Sequence, residues 1–568
     1  MSAAPPPTDV VLVGLGGAGG IAAHVLTEAG LEVVALEAGR RLDAGLMALD
    51  EIRNDVRDWM AEPKARHELP TFRQGAAAAT VPAPWPTLMV NAVGGSTVHY
   101  PGLSIRFQPW NFRSRQAVLE RYGADAIPEG STLADWPLGY DELEQFYEAV
   151  EHAIGVSGTA GNAAGDARNG GNPYEAPRRG GYPMAAVRRS GWNELTAAAA
   201  RELGWHPFPA PAAVNAESYN GNPECTYCGF CSSNGCYRDA KGSTDANVIR
   251  WAEATGRLRI ETGARAVRIE SDEGCRVTGV AYVQAGHDRF QPARAALVGA
   301  FTYENTRLLL LSAATAFPRG LANNHGQVGK HFTAHVTPVA YGLFPGKQLN
   351  LFNGFWAQAT CVEDWNADNF DHTGLGFVGG AMLAAPQEAK PIAVAGAPVP
   401  PAVPRWGSQW KSWLAAHAQS IGSVTAQFDS LTYETNVLEL DPAVTDPHGH
   451  PVVRITHELY ENERRGHAFM LDRLHTWLRA AGATETWSPE GLFVEGRHCY
   501  GGTRMGDDPA TSVVDRYGFA HESPNLGLLG ASTFPTAGGS NPTLTVQALA
   551  WRTARHLADN WSAIAEGA

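Results

Sequence analysis

Residues 10–13 (VVLV) form an unbroken apolar run, the pattern of a strand buried on both faces of a parallel sheet. A glycine-rich turn follows, Gly14-Leu-Gly16-Gly-Ala-Gly19, and then a helical stretch over 20–28 that ends at Gly30. Residues 32–36 read as a second strand closing on Glu37, completing a βαβ unit of about thirty residues. Further along, 48–85 is punctuated by Ala and Pro and predicts a loop or lid, and 157–185 reads as irregular. Alternating apolar positions over 257–300 predict strands, and 304–312 a short helix. Strand-like pieces cut by Gly and Pro over 335–460 suit an antiparallel sheet in a second domain. Residues 458–481 are amphipathic, with Met470, Leu474 and Leu478 at the spacing of one helical face. Residues 541–560 predict a helix with Asn541 as N-cap, Pro542 in its first turn, and Leu544, Ala548 and Trp551 on one side.

With 568 residues and 44% hydrophobic content, the chain is long enough for two or three domains of ~100–200 residues each. The ordinary apolar fraction and 18% charged residues exclude disorder as its main state. The net charge of −14 offers no basic surface for releasing counterions, so nucleic acid is not an expected partner. No apolar run reaches the ~18–20 residues of a membrane span. Residues 1–9 lack the Lys or Arg of a signal peptide, so the expected location is cytoplasmic, with export alongside a partner left open. Of the seven cysteines, Cys225, Cys228, Cys231 and Cys236 fall together. An odd number in a long chain argues against a secreted disulfide framework.

The turn at Gly14, Gly16 and Gly19 fits GxGxxG between a strand and a helix. Its glycines let backbone approach a pyrophosphate, and the helix N-terminus faces the phosphates. Glu37 stands where an acid accepts hydrogen bonds from adenosine ribose hydroxyls. This pattern favours FAD or NAD over NADP without separating the first two.

The C-terminal segment separates them. It reads His498-Cys-Tyr-Gly501-Gly-Thr-Arg-Met505-Gly506, then Asn525-Leu-Gly-Leu-Leu-Gly530-Ala-Ser532 and Asn541-Pro-Thr-Leu-Thr545. With Val93-Gly94-Gly95-Ser96-Thr97, Trp136-Pro-Leu-Gly-Tyr140, and Val328-Gly329 followed by Phe332 and His335, it resembles the glucose–methanol–choline (GMC) oxidoreductases. Within that family it is similar to gluconate and sugar dehydrogenase flavoprotein subunits and to pyranose oxidases. The resemblance runs from residue 10 to residue 556. It implies an α/β fold, in which a Rossmann-like three-layer FAD domain is interleaved with an α+β substrate domain on an antiparallel sheet. The expected FAD-domain segments are 1–47, 85–125, 215–330 and 491–568; the substrate-domain segments are 126–214 and 331–490.

The resemblance also implies FAD-dependent oxidation of a carbinol in a carbohydrate-like substrate. His498 matches the general base and Asn541 its partner; a neutral imidazole suits removal of a hydroxyl proton as hydride leaves carbon. The cofactor-contacting positions it implies are Gly14, Gly16, Gly17, Ala18, Gly19, Glu37, Ala38, Asn91, Gly94, Gly95, Ser96, His99, Val267, Ala531, Asn541, Pro542 and Thr543. In some members a histidine at the step of His99 is bonded to the flavin, so a covalent link there stands beside a non-covalent contact. The spacing Cys225-x2-Cys228-x2-Cys231-x4-Cys236 is similar to ferredoxin-like runs, and some sugar dehydrogenases of the family carry an iron–sulfur cluster. Structural zinc or plain thiols are the other readings of these four. The electron acceptor stays open among oxygen, a quinone and a cytochrome. An NAD-linked dehydrogenase would account for the glycine turn and Glu37 but not for the C-terminal motif. A non-catalytic flavin-fold binding protein would leave His498 and Asn541 without a role.

Overall fold

The computed structural model describes residues 6–61, 64, 68–83, 89–163 and 170–566. Its first sheet has the order β19-β20-β9-β1-β2-β6. These strands are β1 (Thr8–Val13), β2 (Val33–Glu37), β6 (Leu258–Thr262), β9 (His287–Val298), β19 (Phe519–Ala520) and β20 (Ser523–Leu528). β1 pairs in parallel with β2 and β9, so it is central, which its apolar run anticipates. β8 (Val277–Gln284) pairs antiparallel with the N-terminal half of β9, and β7 (Ala264–Ser271) pairs antiparallel with β8. The helices packed into this core include α1 (Gly17–Glu28), α2 (Tyr140–Ile154) and α6 (Thr543–Asp559).

The turn between β1 and α1 needs glycine at two points. Gly14 has φ +83°, and a Cβ there would lie 2.8 Å from the Gly299 carbonyl. A Cβ at Gly19 would lie 2.0 Å from the Gly14 carbonyl, so any side chain would push α1 off the strand end.

The second sheet is antiparallel, in the order β17-β11-β14-β13-β12-β5, with β10 bridging β14 and β18. Its strands are β5 (Phe208–Pro209), β10 (Thr333–Val336), β11 (Val339–Leu343), β12 (Thr360–Val362), β13 (Ala381–Ala385), β14 (Ile421–Phe428), β17 (Glu485–Trp487) and β18 (Val494–Tyr500). One face buries Val424, Ala426 and Phe428 against Met470, Leu474, Trp477 and Leu478 of α5 (Glu461–Ala480), the stripe legible in the sequence. α3 (Gly191–Glu202) closes the same core with Trp192, and the Trp477 indole donates to the Thr196 carbonyl at 2.8 Å. A small third sheet joins β15 (Val437–Thr445) and β16 (Pro451–Thr456) to β3 (Thr71–Arg73) and β4 (Val81–Pro82). The expected loop over 48–85 thus contains two strands, while 62, 63, 65–67, 84 and 85 lie outside the described residues. Among the described residues, no helix is long and apolar enough to cross a membrane.

Two expectations are corrected. The sequence places 126–214 with the substrate domain, yet α2 buries Leu143, Tyr147, Val150 and Ile154 in the first core and packs on α6. Its apolar stripe is complementary to α6, whose sequence distance concealed the pairing. Asn541 is not the N-cap of α6; Pro542 holds that place, and no side chain caps the helix.

A buried ion network ties α2 to the chain that leaves the glycine loop. Arg106 donates twice to Glu151, at 2.8 Å each, and Arg178 donates to Glu151 and Glu175 at 2.7 Å each. Glu151 is fully buried. Removing it leaves two guanidinium groups short of counter-charge in the interior, which costs ~3–5 kcal/mol. Glu151→Ala should therefore lower the unfolding free energy by that amount and shift the denaturation midpoint down; a midpoint like wild type would contradict the role given to the network.

Candidate active site

A cavity of about 580 Å³ lies where the two sheets meet. One end is walled by Gly14, Gly16, Gly17 and Ala18 at the N-terminus of α1, by Glu37 and Ala38 after β2, and by Asn91, Gly95, Ser96 and His99. The Glu37 carboxylate accepts the backbone N–H of Leu15 at 2.9 Å and of Gly39 at 2.8 Å. Burial pushes this carboxyl up, against the pull of both N–H groups, Arg265 and Lys64. Each oxygen keeps a lone pair for a ribose hydroxyl. Nearby, Lys64 and Arg307 each lie 3.2 Å from Glu304 and, against burial, hold it at about 2.

These residues fit a dinucleotide. The α1 N-terminus and the side-chain-free turn leave backbone N–H groups open to a pyrophosphate. Gly95 approaches so closely that a Cβ on it would lie 2.7 Å from Gly16 Cα. Ala531, Pro542 and Thr543 line the far end with His498 and Asn541.

Three expected contacts do not reach the cavity. Gly19 packs on Gly14 instead. Gly94 has φ +92° and turns against Asp245, where a Cβ would lie 2.7 Å from a carboxylate oxygen. Val267 sits further along β7, and Ala264, Arg265 and Ala266 form the wall in its place.

At the far end β18 carries His498, and Asn541 stands just before α6. Asn541 Nδ2 lies 3.4 Å from His498 Nε2, so the expected pair is together despite 42 intervening residues. The other ring nitrogen of His498, Nδ1, lies 3.2 Å from Nδ1 of His335, on β10 beside β18. His335 is fully buried, and its Nε2 lies 2.6 Å from the Gly538 carbonyl and 2.9 Å from the Tyr500 hydroxyl. A carbonyl only accepts, so the bond to Gly538 puts the His335 proton on Nε2. With both rings neutral, His335 Nδ1 is an acceptor and His498 Nδ1 must donate to it. The acceptor of His498 is then Nε2, beside Asn541 and lining the cavity. This tautomer is assigned from the hydrogen-bond pattern. His335 belongs to a motif visible in the sequence, but its tie to His498 depends on β10–β18 pairing.

The remaining wall comes from the second sheet: Thr337, Tyr341, Ser423, Thr425 and Gln427, with Trp356 and Phe493. Sequence reasoning did not find these residues. Their signal was the alternation Ser423-Val-Thr425-Ala-Gln427, polar on one strand face while the other face is core.

His99 ends the 3₁₀ turn Gly95–Val98, is buried and lines the cavity. Its carbonyl accepts the Ser233 N–H at 3.1 Å, which brings the cysteine loop to the cavity edge. Buried Lys241 fastens this loop, donating to the carbonyls of Tyr100, Cys231 and Asn234 at 3.0, 3.0 and 2.8 Å.

Cys225, Cys228, Cys231 and Cys236 share the loop between β5 and the helix at Val248–Ala254. Among the described residues, no group of three or more His, Cys, Asp or Glu side chains could hold a metal ion. Cys231 is buried in an apolar cluster with Leu103, Ile105 and Phe208, and Cys225 packs against it. Burial pushes Cys225 up to about 11 and Cys231 well above its ordinary value, which favours the neutral thiol over the thiolate. Cys225, Cys228, Cys231 and Cys236 form no disulfide. As folded, the loop forms a wall of the cavity.

Comparison with known proteins fits this geometry. Residues 133–337 and 432–550 match the N- and C-terminal profiles described as GMC oxidoreductase. The chain is 32% identical to the gluconate 2-dehydrogenase flavoprotein of Pantoea cypripedii, over 97% of this chain and 94% of that one. It is 29% identical to the paromamine 6'-oxidase of Streptomyces fradiae, over 97% and 91%. The crystal structure of pyridoxine 4-oxidase from Mesorbium loti shares the fold, with TM-score 0.62, 16% identity and coverage of 97% and 99%. The chain belongs to the GMC oxidoreductase family and is an FAD-dependent oxidoreductase of alcohol- or sugar-like substrates.

Proposed function

We propose that this enzyme oxidises a carbinol of a carbohydrate-like substrate to the carbonyl, with Nε2 of His498 taking the hydroxyl proton. FAD, when bound, supplies the acceptor for the hydride that leaves the same carbon. The observation that carries this reading is the chain Gly538–His335–His498, which turns an acceptor nitrogen toward the cavity.

The chain's own groups divide the work. Asn541 Nδ2, beside Nε2, can donate to the substrate oxygen and fix its distance from the base. Once His498 holds the proton, its Nδ1–H donates to His335 as a charged donor, and that bond strengthens. The N-terminal turn of α6 borders the same end of the cavity through Thr543 and favours negative charge there. The hydroxyl-rich wall of β11 and β14 and the aromatic Trp356 and Tyr341 suit a polyhydroxylated ring or chain. The substrates named for two relatives, gluconate and paromamine, support the same class.

Anaerobic mixing of the holoenzyme with sugars and alcohols, followed by the loss of oxidised-flavin absorption, tests the reading. His498→Ala should slow that loss at least ~10²-fold; near-wild-type kinetics would remove His498 from the chemistry. His335→Phe should slow it by about tenfold or more with flavin content unchanged, because His498 then loses the acceptor that fixes its tautomer. We also propose His99 as the attachment point of a covalently held flavin. After acid precipitation the yellow should stay with the protein and leave it in His99→Ala; colour released from wild type would make His99 a packing residue.

A further inference from the structure

The cavity wall built by the second sheet contains two buried side-chain oxygens without a hydrogen-bond partner. On β14, Val424, Ala426 and Phe428 turn into the second core, and Ser423, Thr425 and Gln427 turn to the cavity. The Thr425 hydroxyl is committed to the Pro338 carbonyl at 3.0 Å. Gln427 differs: it is only 7% exposed, and its Oε1 has no hydrogen-bond partner. Thr337 Oγ1, also on the cavity wall, is buried and unpartnered as well.

These two residues face each other. β10 and β11 pair with β14 in one antiparallel register, Val336 opposite Phe428 and Val339 opposite Thr425, which puts Thr337 opposite Gln427. Directly opposed side chains have Cβ atoms ~4.5–5.5 Å apart, close enough to share one small group. Leaving a buried acceptor unsatisfied is costly, so a partner from the cavity side is favoured. The partner must offer a donor to Gln427 Oε1, and it can either accept from or donate to the Thr337 hydroxyl. An alcohol hydroxyl meets both groups in either arrangement, whereas a carboxylate, which only accepts, cannot meet Gln427 Oε1. The pair also adjoins the catalytic end, since Met382, opposite Gln427 on β13, bonds through its N–H to the Gly539 carbonyl at 2.8 Å, two residues from Asn541.

We propose that Gln427 and Thr337 together read a second hydroxyl of the substrate, so that the site selects a polyol over a simple alcohol. This rests on the carbinol-oxidation reading above and adds the residues that set its specificity.

The test compares matched probes on the holoenzyme: glycerol, D-glucitol, D-glucose and D-gluconate against propan-1-ol, propan-2-ol and cyclohexanol. Flavin reduction is followed anaerobically, and binding is read separately from the change in flavin absorption in His498→Ala, where turnover is suppressed. In wild type the best polyol should exceed the best mono-alcohol at least ~10-fold in reduction or in binding. Gln427→Met, which keeps the volume but not the acceptor, should bring that ratio to within about threefold, and Gln427→Glu, which keeps an acceptor, should largely preserve it.

A polyol preference that survives Gln427→Met would overturn the proposal. So would a wild type that prefers mono-alcohols, or a Gln427→Met protein with altered flavin content or spectrum, which would place Gln427 against the cofactor. The two readings fail separately. Polyol binding that depends on Gln427, without flavin reduction by any alcohol, would support the pair and refute carbinol oxidation. Reduction that needs His498 but ignores Gln427 would do the reverse.

Discussion

The bond from His335 Nε2 to the Gly538 carbonyl sets the direction of the bond between His335 and His498. A backbone carbonyl cannot switch roles, so His335 has one protonation pattern open to it while neutral, and His498 inherits its own from that. The arrangement needs three chain segments at once: β10 for His335, β18 for His498, and the stretch before α6 for Gly538 and Asn541. Two sheets, each with its own apolar core, hold those segments together across the cavity.

That division explains where rigidity is placed. The cofactor end rests on glycines that permit backbone-to-backbone contact, with Gly19 packed on Gly14 and Gly95 on Gly16. The loop carrying His99 and Tyr100 has no sheet of its own. Lys241 fastens it to the cysteine loop, and further along Arg106 anchors the chain to α2 through Glu151. Polar groups buried this deeply are costly unless fully partnered, and Lys241 is matched by three carbonyls. Gln427 and Thr337 are among the buried groups whose oxygens lack a partner, and both stand on the cavity wall.

What the sequence made legible follows from range. The βαβ unit with Gly14, Gly16 and Glu37 is local, and its pattern is carried by side-chain period and glycine spacing. The pairing of His498 with Asn541 came from motif resemblance, and the structure brings the two together. The links that depend on strand register stayed hidden: His335 to His498 across β10 and β18, and Thr337 opposite Gln427 across β14. Spacing also does not reveal burial: of the four cysteines at ferredoxin-like intervals, Cys231 is buried in an apolar cluster and Cys225 packs against it. Likewise Asn541 looked like a helix cap, although its amide is engaged with His498 and the helix begins after it.

Neutron diffraction from deuterium-exchanged crystals of the oxidised holoenzyme, grown near neutral pH, would locate the protons on which the account turns. The account places deuterium on His335 Nε2 and on His498 Nδ1, and none on His498 Nε2. Deuterium on His498 Nε2 with Nδ1 bare would contradict it, because the nitrogen facing the cavity could then not take a proton from the substrate.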